Sequence, residues 1–290
     1  MKASRLMQNF IINIADYARK TNPNFIVIPQ NGLELGYVDA DTSLGLNQSF
    51  LTKIDGFGVE GLFYGEEESP DAYSIAMAKK IGESERILSA DYLSDNSLFS
   101  NAVSQNQGYG FLCFPRHSTN YDYLEIPSTV IQENPNNITT LASAQNYLYL
   151  ISTSNYSSKS TYLQAIASTN FDAVIIDLFY EDEPLTANEV QLLKTKANGG
   201  SRKVIAYMSI GSAEKYRYYW KKTWGLHRPS WIKRKYDGYP DEFWVKFWHK
   251  DWQEIIYGND ESYTHKILTA GFDGVYLDNV EAYYFLYFKN

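Results

Sequence analysis

Four carboxylates close short apolar runs in this chain: Glu60 in FGVEGLFY, Asp91 in RILSADY, Asp177 in AVIIDLFY and Asp278 in GVYLDNV. A carboxylate in such a place is costly to bury alone, so it has either a partner or a chemical task. Several acids gathered at one mouth suit acid/base work on a neutral substrate. A protonated carboxyl assists a leaving oxygen while an ionised one attacks or activates water. Polar neighbours follow the same pattern. Asn31 comes after an early run, Tyr92 beside Asp91, Tyr207 and Glu214 within and after VIAYMSIG, and Asn279 after Asp278. All four acids, with Tyr92, Asn279, Asn31, Glu214 and Tyr207 beside them, are candidates for catalysis or for binding and orienting a substrate.

Other chemistries find no support. His117, His227, His249 and His265 show neither HxH nor HExxH spacing, so no metal site is expected. No P-loop and no GxSxG occur, and SIGS at 209–212 does not substitute for the latter. No cofactor is expected. The single cysteine, Cys113, excludes an internal disulfide and reads as a small core residue. Glu214 and Arg217, three residues apart on a helix expected after the seventh strand, read equally well as an ion pair.

The elements that must position these acids are legible as eight apolar runs, at 25–29, 57–64, 86–92, 109–114, 147–152, 173–180, 204–211 and 274–280. They are short, rich in β-branched and aromatic residues and continuous rather than alternating, as strands buried on both faces are. Helical patterns lie between them at 70–81, 96–105, 158–168, 186–197 and 262–270. Thr186-Ala-Asn-Glu189 has the spacing of a capping box. The spacing predicts an α/β fold, a single (β/α)8 TIM-type barrel over 21–290 preceded by an N-terminal helix at 1–20, with no second domain. In that fold the active site lies at the C-terminal strand ends, where the acids fall. An open doubly wound sheet is the alternative, but its GxGxxG turn is absent. The stretches 117–144 and 215–252 read as an elaborated loop and an insertion before the last strand.

The N-terminal segment puts Leu6, Phe10, Ile14 and Tyr17 on one helical face. It is interrupted by Gln8, Asn9, Asn13 and Asp16 and does not read as a signal peptide. No apolar stretch is long enough to span a bilayer. With 34 acidic against 26 basic residues the net charge is −8, which argues against a nucleic-acid partner. Charge is nevertheless segregated, because 215–235 holds eight basic residues and no acid. All six tryptophans, at 220, 224, 231, 244, 248 and 252, fall in the insertion. Their clustering beside the strand ends suggests exposed platforms for flat sugar faces, Trp220 and Trp244 among them. The alternative is that the insertion packs a small core of its own.

The segments VIAYMSIGSAEKYRYYW (204–220), WVKFW (244–248), DWQEIIYG (251–258) and AGFDGVYLDNVEAY (270–283) resemble glycoside hydrolase family 114, the endo-α-1,4-polygalactosaminidases. IDGFGVEGLFYGEE from Ile54, NYLYLIS (146–152) and FDAVIIDLFY (171–180) are similar to the same group. The resemblance implies a TIM-type barrel and two-carboxylate cleavage of an α-1,4-linked galactosamine-rich polysaccharide. It carries one acid onto Asp278. It carries the second onto Glu60 if this chain begins its barrel at a different strand. It further implies a polysaccharide or oligosaccharide substrate, a monomer and export from the cell. A barrel that binds carbohydrate without catalysis is the competing reading. A synthetase-like enzyme is disfavoured, since HxGH and KMSKS are absent.

Overall fold

The computed structural model describes residues 2–65, 70–93, 95–117 and 123–287. The strands are β1 (Ile26–Pro29), β2 (Gly56–Glu60), β3 (Arg86–Tyr92), β4 (Leu112–Arg116), β5 (Tyr147–Leu150), β6 (Ala173–Asp177), the hairpin β7 (Phe179–Tyr180) and β8 (Glu183–Pro184), β9 (Lys203–Ser209), β10 (Ser212–Glu214), β11 (Ile232–Tyr236), β12 (Tyr239–Val245) and β13 (Gly274–Asp278). The α-helices are α1 (Ala3–Arg19), α2 (Gln48–Leu51), α3 (Ala72–Ile81), α4 (Phe99–Gly108), α5 (Lys159–Ala167), α6 (Ala187–Leu193), α7 (Lys250–Ile256), α8 (Tyr263–Thr269) and α9 (Ala282–Phe285). Each of the eight apolar runs yields a strand, within a few residues. Part of the loop expected at 117–144, residues 118–122, lies outside the described residues.

The fold is mixed α/β with parallel strands at its centre. One parallel sheet has the order β1-β13-β9-β6-β5 and a second the order β2-β3-β4. They meet where β1 runs beside β2, through a parallel bridge between Gln30 and Gly58. Backbone hydrogen bonds support it, from Asn31 N to Gly58 O (2.7 Å) and from Asp55 N to Val27 O (2.9 Å). On the far side, the Phe114 ring of β4 meets the Tyr147 ring of β5 at 5.6 Å. The five central strands are buried almost throughout, because helices cover them. The capping box at the start of α6 forms as its spacing requires: Thr186 Oγ1 accepts from Glu189 N and Glu189 Oε2 accepts from Thr186 N.

The buried stripe of α1 is Met7, Phe10, Ile11, Ile14, Ala15 and Ala18. It is turned slightly from the expected Leu6–Tyr17 face, which is only half-buried at its two ends. The C-terminus of α1 is fixed by Arg19, whose guanidinium donates to Phe25 O, Lys53 O and Asp55 Oδ2 (3.1, 3.0 and 2.8 Å).

A repeated device sets the N-terminal ends of the strands. Asp55, Asp172 and Asp273 each stand immediately before a strand, and each accepts a neighbouring backbone N–H: Val27 N, Gln145 N and Val204 N respectively. Each also pairs with a cation, Arg19, Lys196 or Lys194. The Lys196–Asp172 pair (2.9 Å) is completely buried. Asn134 adds hydrogen bonds to both partners. Removing one member of such a pair strands the other charge, which costs about 3–5 kcal/mol. Lys196→Met is therefore expected to lose stability in that range in urea unfolding. A loss under about 1 kcal/mol would show that the pair is not needed to hold β6.

Candidate active site

At the other ends of the strands, two acids are held in matching fashion. Glu60 ends β2 and Asp278 ends β13. Each is served by an asparagine in the left-handed region, Asn31 (φ 59°) after β1 and Asn279 (φ 60°) after β13. Asparagine tolerates that conformation better than most residues, and its amide can then turn back on the acid. Asn31 Nδ2 donates to Glu60 Oε2 (3.1 Å), and its Oδ1 accepts from Glu60 N (3.2 Å). Asn279 donates from its backbone N to Asp278 Oδ1 (2.7 Å) and from Nδ2 to Oδ2 (3.3 Å).

Tyrosines supply the remaining donors. The Tyr123 hydroxyl donates to Glu60 Oε1 and the Tyr207 hydroxyl, from the middle of β9, to Asp278 Oδ2. Two glycines make the close approaches possible. A Cβ at Gly58 would lie 1.8 Å from the Tyr276 hydroxyl, and one at Gly211 would lie 1.8 Å from the Asn279 carbonyl oxygen. Among the described residues neither Glu60 nor Asp278 forms an ion pair.

Burial pushes the Asp278 carboxyl up to about 7, helped by repulsion from Glu60 and from Glu214 and opposed by the Tyr207 and Asn279 hydrogen bonds. Two further acids share this region and carried no candidate role in the sequence reading. Glu281, just past Asn279, is raised to about 8 by burial and by the charges of Asp278, Glu60 and Glu34. Glu242, on β12, is raised to about 8 by burial and by Glu214 and Asp278. Glu281 had a legible signal, being three residues beyond Asp278. Glu242 had none, because it arrives on the insertion.

Other expected site residues lie elsewhere. Asp91 is completely buried and accepts from Phe63 N, Tyr64 N and Asn106 Nδ2 (3.0, 3.2 and 2.6 Å). These bonds cap the loop after β2. Asp177 and Glu214 are both held by Arg217, with Nη1 2.8 Å from Asp177 and Nε 2.6 Å from Glu214 Oε2. The ion-pair reading of Glu214 and Arg217 is the one the structure shows. Tyr92 is half-buried, with the Arg116 guanidinium 5.8 Å from its ring centre.

The tryptophans are not exposed platforms. Trp231, Trp244 and Trp252 are buried, and the other three are half-buried. Trp220, Trp224, Trp231 and Trp252 form a continuous series of ring contacts at 5.0–5.6 Å. Trp220 also stacks on Phe243, and Trp244 lies between Tyr236 and Phe285. The insertion packs its own core because so many large rings bury more area against one another than a shallow groove would cover. Tyr123 also lines a cleft of about 570 Å³ together with Phe99, Phe114, Arg116, Leu124 and Ile126; neither Glu60 nor Asp278 lines it. Among the described residues no group of three or more His, Cys, Asp or Glu side chains is arranged to hold a metal ion, and no helix is long and apolar enough to cross a membrane.

The profile of glycoside-hydrolase family GH114 matches residues 128–290. Among characterised genomes, the chain is similar to three uncharacterized proteins. One from Methanocaldococcus jannaschii is 34% identical over 151 residues, 52% of this chain and 41% of the relative. One from Deinococcus radiodurans is 36% identical over 124 residues, 42% and 37% of the two chains. One from Thermotoga maritima is 31% identical over 118 residues, 41% and 35%. The chain thus spans less than half the length of the curated relatives it matches.

An aspartate that titrates at 3.8 in the unfolded chain and at about 7 in the fold keeps a proton that unfolding releases between those values. Its contribution to stability is present at low pH and is lost as pH rises through 7. Asp278→Asn is expected to flatten the fall of Tm with pH between about 4 and 7 relative to wild type. Parallel Tm curves for the two proteins would rule out the raised carboxyl at this position.

Proposed function

The chain belongs to glycoside hydrolase family GH114, and from that premise we propose that it hydrolyses glycosidic bonds with Glu60 and Asp278 as its two carboxyl groups. One observation carries the reading: both acids stand at C-terminal strand ends, held by hydroxyl and amide donors and, among the described residues, without a cation. An ion pair sealing either acid would have favoured a binding protein without catalysis.

The fold reading that goes with this is one (β/α)8 barrel over 21–290, with the N-terminal helix packed against it. The parallel bridge between β1 and β2 and the contact of β4 with β5 support closure of the two sheets into a single ring of strands. The substrate is a polysaccharide, an α-1,4-linked galactosamine-rich polymer cleaved internally, as the family resemblance implies. The cleft beside Tyr123 has the volume of a small-ligand site and apolar walls against which sugar rings can lie.

In the mechanism, Asp278 works ionised. Three donors, the Tyr207 hydroxyl and the two Asn279 N–H groups, point at its oxygens and favour the carboxylate. Glu60, held by Tyr123 and Asn31, lends a proton to the leaving oxygen. Asn31 and Asn279 orient the pair.

Wild type is expected to release oligosaccharides from partially deacetylated α-1,4-galactosaminoglycan, measured by product sizing. Asp278→Asn and Glu60→Gln should each lower kcat by about a hundredfold or more. Because Asp278 must lose its proton, kcat/KM should rise as pH rises through about 7. A fall through that value would exchange the two roles. Bound but uncleaved polymer, equally for wild type and both variants, would select the binding reading.

A further inference from the structure

The insertion between β9 and α7 folds as an antiparallel sheet of order β10-β12-β11. Its register places Ser212 opposite Trp244 and Glu214 opposite Glu242, so these four side chains share one face. That face is seated on the end of β13. The Tyr236 hydroxyl donates to Asn279 Oδ1 (3.0 Å), and its ring stacks on Trp244 at 4.3 Å. Trp244 in turn stacks on Phe285. A segment remote in the chain thereby delivers Glu242 to the neighbourhood of Asp278.

Between the two acids runs a continuous set of hydrogen bonds. Ser212 Oγ donates to Glu242 Oε2 (3.1 Å), and the Ser209 and Ser212 hydroxyls are 2.8 Å apart. Asn279 Nδ2 donates to Ser209 Oγ (3.0 Å), to Ser212 Oγ (3.1 Å) and to Asp278 Oδ2 (3.3 Å). The opposite member of the cross-strand pair, Glu214, has both oxygens taken by Arg217 and by the Tyr216 hydroxyl (2.5 Å). Among the described residues Glu242 has no ion-pair partner.

We propose that Glu242 is a positioning residue for Asp278: neutral, it leaves the Asn279 Nδ2 donation to Asp278 undisturbed, and charged, it fixes Ser212 as its donor, draws Asn279 Nδ2 toward the two serine oxygens and adds a like charge to the groove. This rests on the hydrolase reading above. The groups facing Glu242 support it. They are Glu214 from β10, Tyr216 and Arg217 beyond it, Asp278 from β13, Tyr207 from β9 and Tyr236 from β11. Those facing Asp278 are Glu60, Glu214, Glu281, Tyr207, Tyr149, Tyr236 and Tyr276. With burial first and two acids next, Glu242 holds its proton to about 8, above the value of about 7 for Asp278.

The test measures kcat/KM from pH 5 to 10 for wild type, Glu242→Gln and Glu242→Asp on partially deacetylated α-1,4-galactosaminoglycan. Carbon-13 carboxyl NMR titrations of the same proteins run alongside, with Asp278→Asn to assign its signal. Wild type and Glu242→Asp should lose activity above about pH 8. In Glu242→Gln, activity at pH 9 relative to its own maximum should exceed the wild-type ratio about fivefold, corresponding to an alkaline limb moved up by more than half a pH unit. The Asp278 signal should show a second inflection near 8 that is absent from Glu242→Gln. Superimposable alkaline limbs, or no such inflection in wild type, overturns the proposal. If wild type cleaves nothing, the hydrolase reading fails by itself, and the NMR titration still decides whether Glu242 acts on Asp278.

Discussion

Burying a carboxylate at the end of a parallel strand is the constraint around which this molecule is arranged. The acid leaves water, so donors must come to it, and the strand itself has no free N–H groups to give. The solution at Glu60 and at Asp278 is the same: an asparagine in the left-handed turn and a tyrosine hydroxyl from another segment. Neutral donors favour the charge without cancelling it. A lysine or arginine would neutralise it, and the site would lose the carboxyl whose protonation it needs to control.

The glycines at 58 and 211 follow from that arrangement. One within β2 and one in the bend between β9 and β10, they are openings through which the Tyr276 hydroxyl and the Asn279 carbonyl approach. The tyrosines of the strand interiors serve the same end. Tyr149 donates to Gln30 Oε1 at 2.9 Å and packs against Tyr123 and Tyr276, so the floor beneath the acids is aromatic and stiff. Burial there holds three carboxyls well above their ordinary range: Asp278, Glu242 and Glu281.

Acids of one kind do opposite work at the two ends of the strands. Asp55, Asp172 and Asp273 precede strands and are fully engaged by a cation and a backbone N–H. Glu60 and Asp278 end strands and, among the described residues, pair with no cation. Asp177 also ends a strand, yet Arg217 from the insertion closes on it and on Glu214. The insertion therefore does two things to the mouth. It withdraws two acids into an ion cluster, and it brings a new one, Glu242, to Asp278. The tryptophans are what hold it in place, as a second small core continuous with the main one.

The sequence by itself determined the local events. Continuous apolar runs specify strands covered on both faces, Thr186 and Glu189 specify a helix start, and the positions of Glu60 and Asp278 at strand ends follow from where those runs stop. Asn31 and Asn279 were legible too, as polar residues directly after strands. Partnership was not legible. Asp91, Asp177 and Glu214 resemble Glu60 in composition of their surroundings along the chain, and only the approach of Asn106, the loop amides and Arg217 separates them from it. The burial of Trp244, the donation from Tyr123 and Tyr207 and the arrival of Glu242 depend on contacts between residues far apart in sequence. Those contacts are fixed by strand register and by how the insertion folds back, and a shift of one residue in register would turn each side chain to the other face. The tertiary structure alone decided which carboxyls meet.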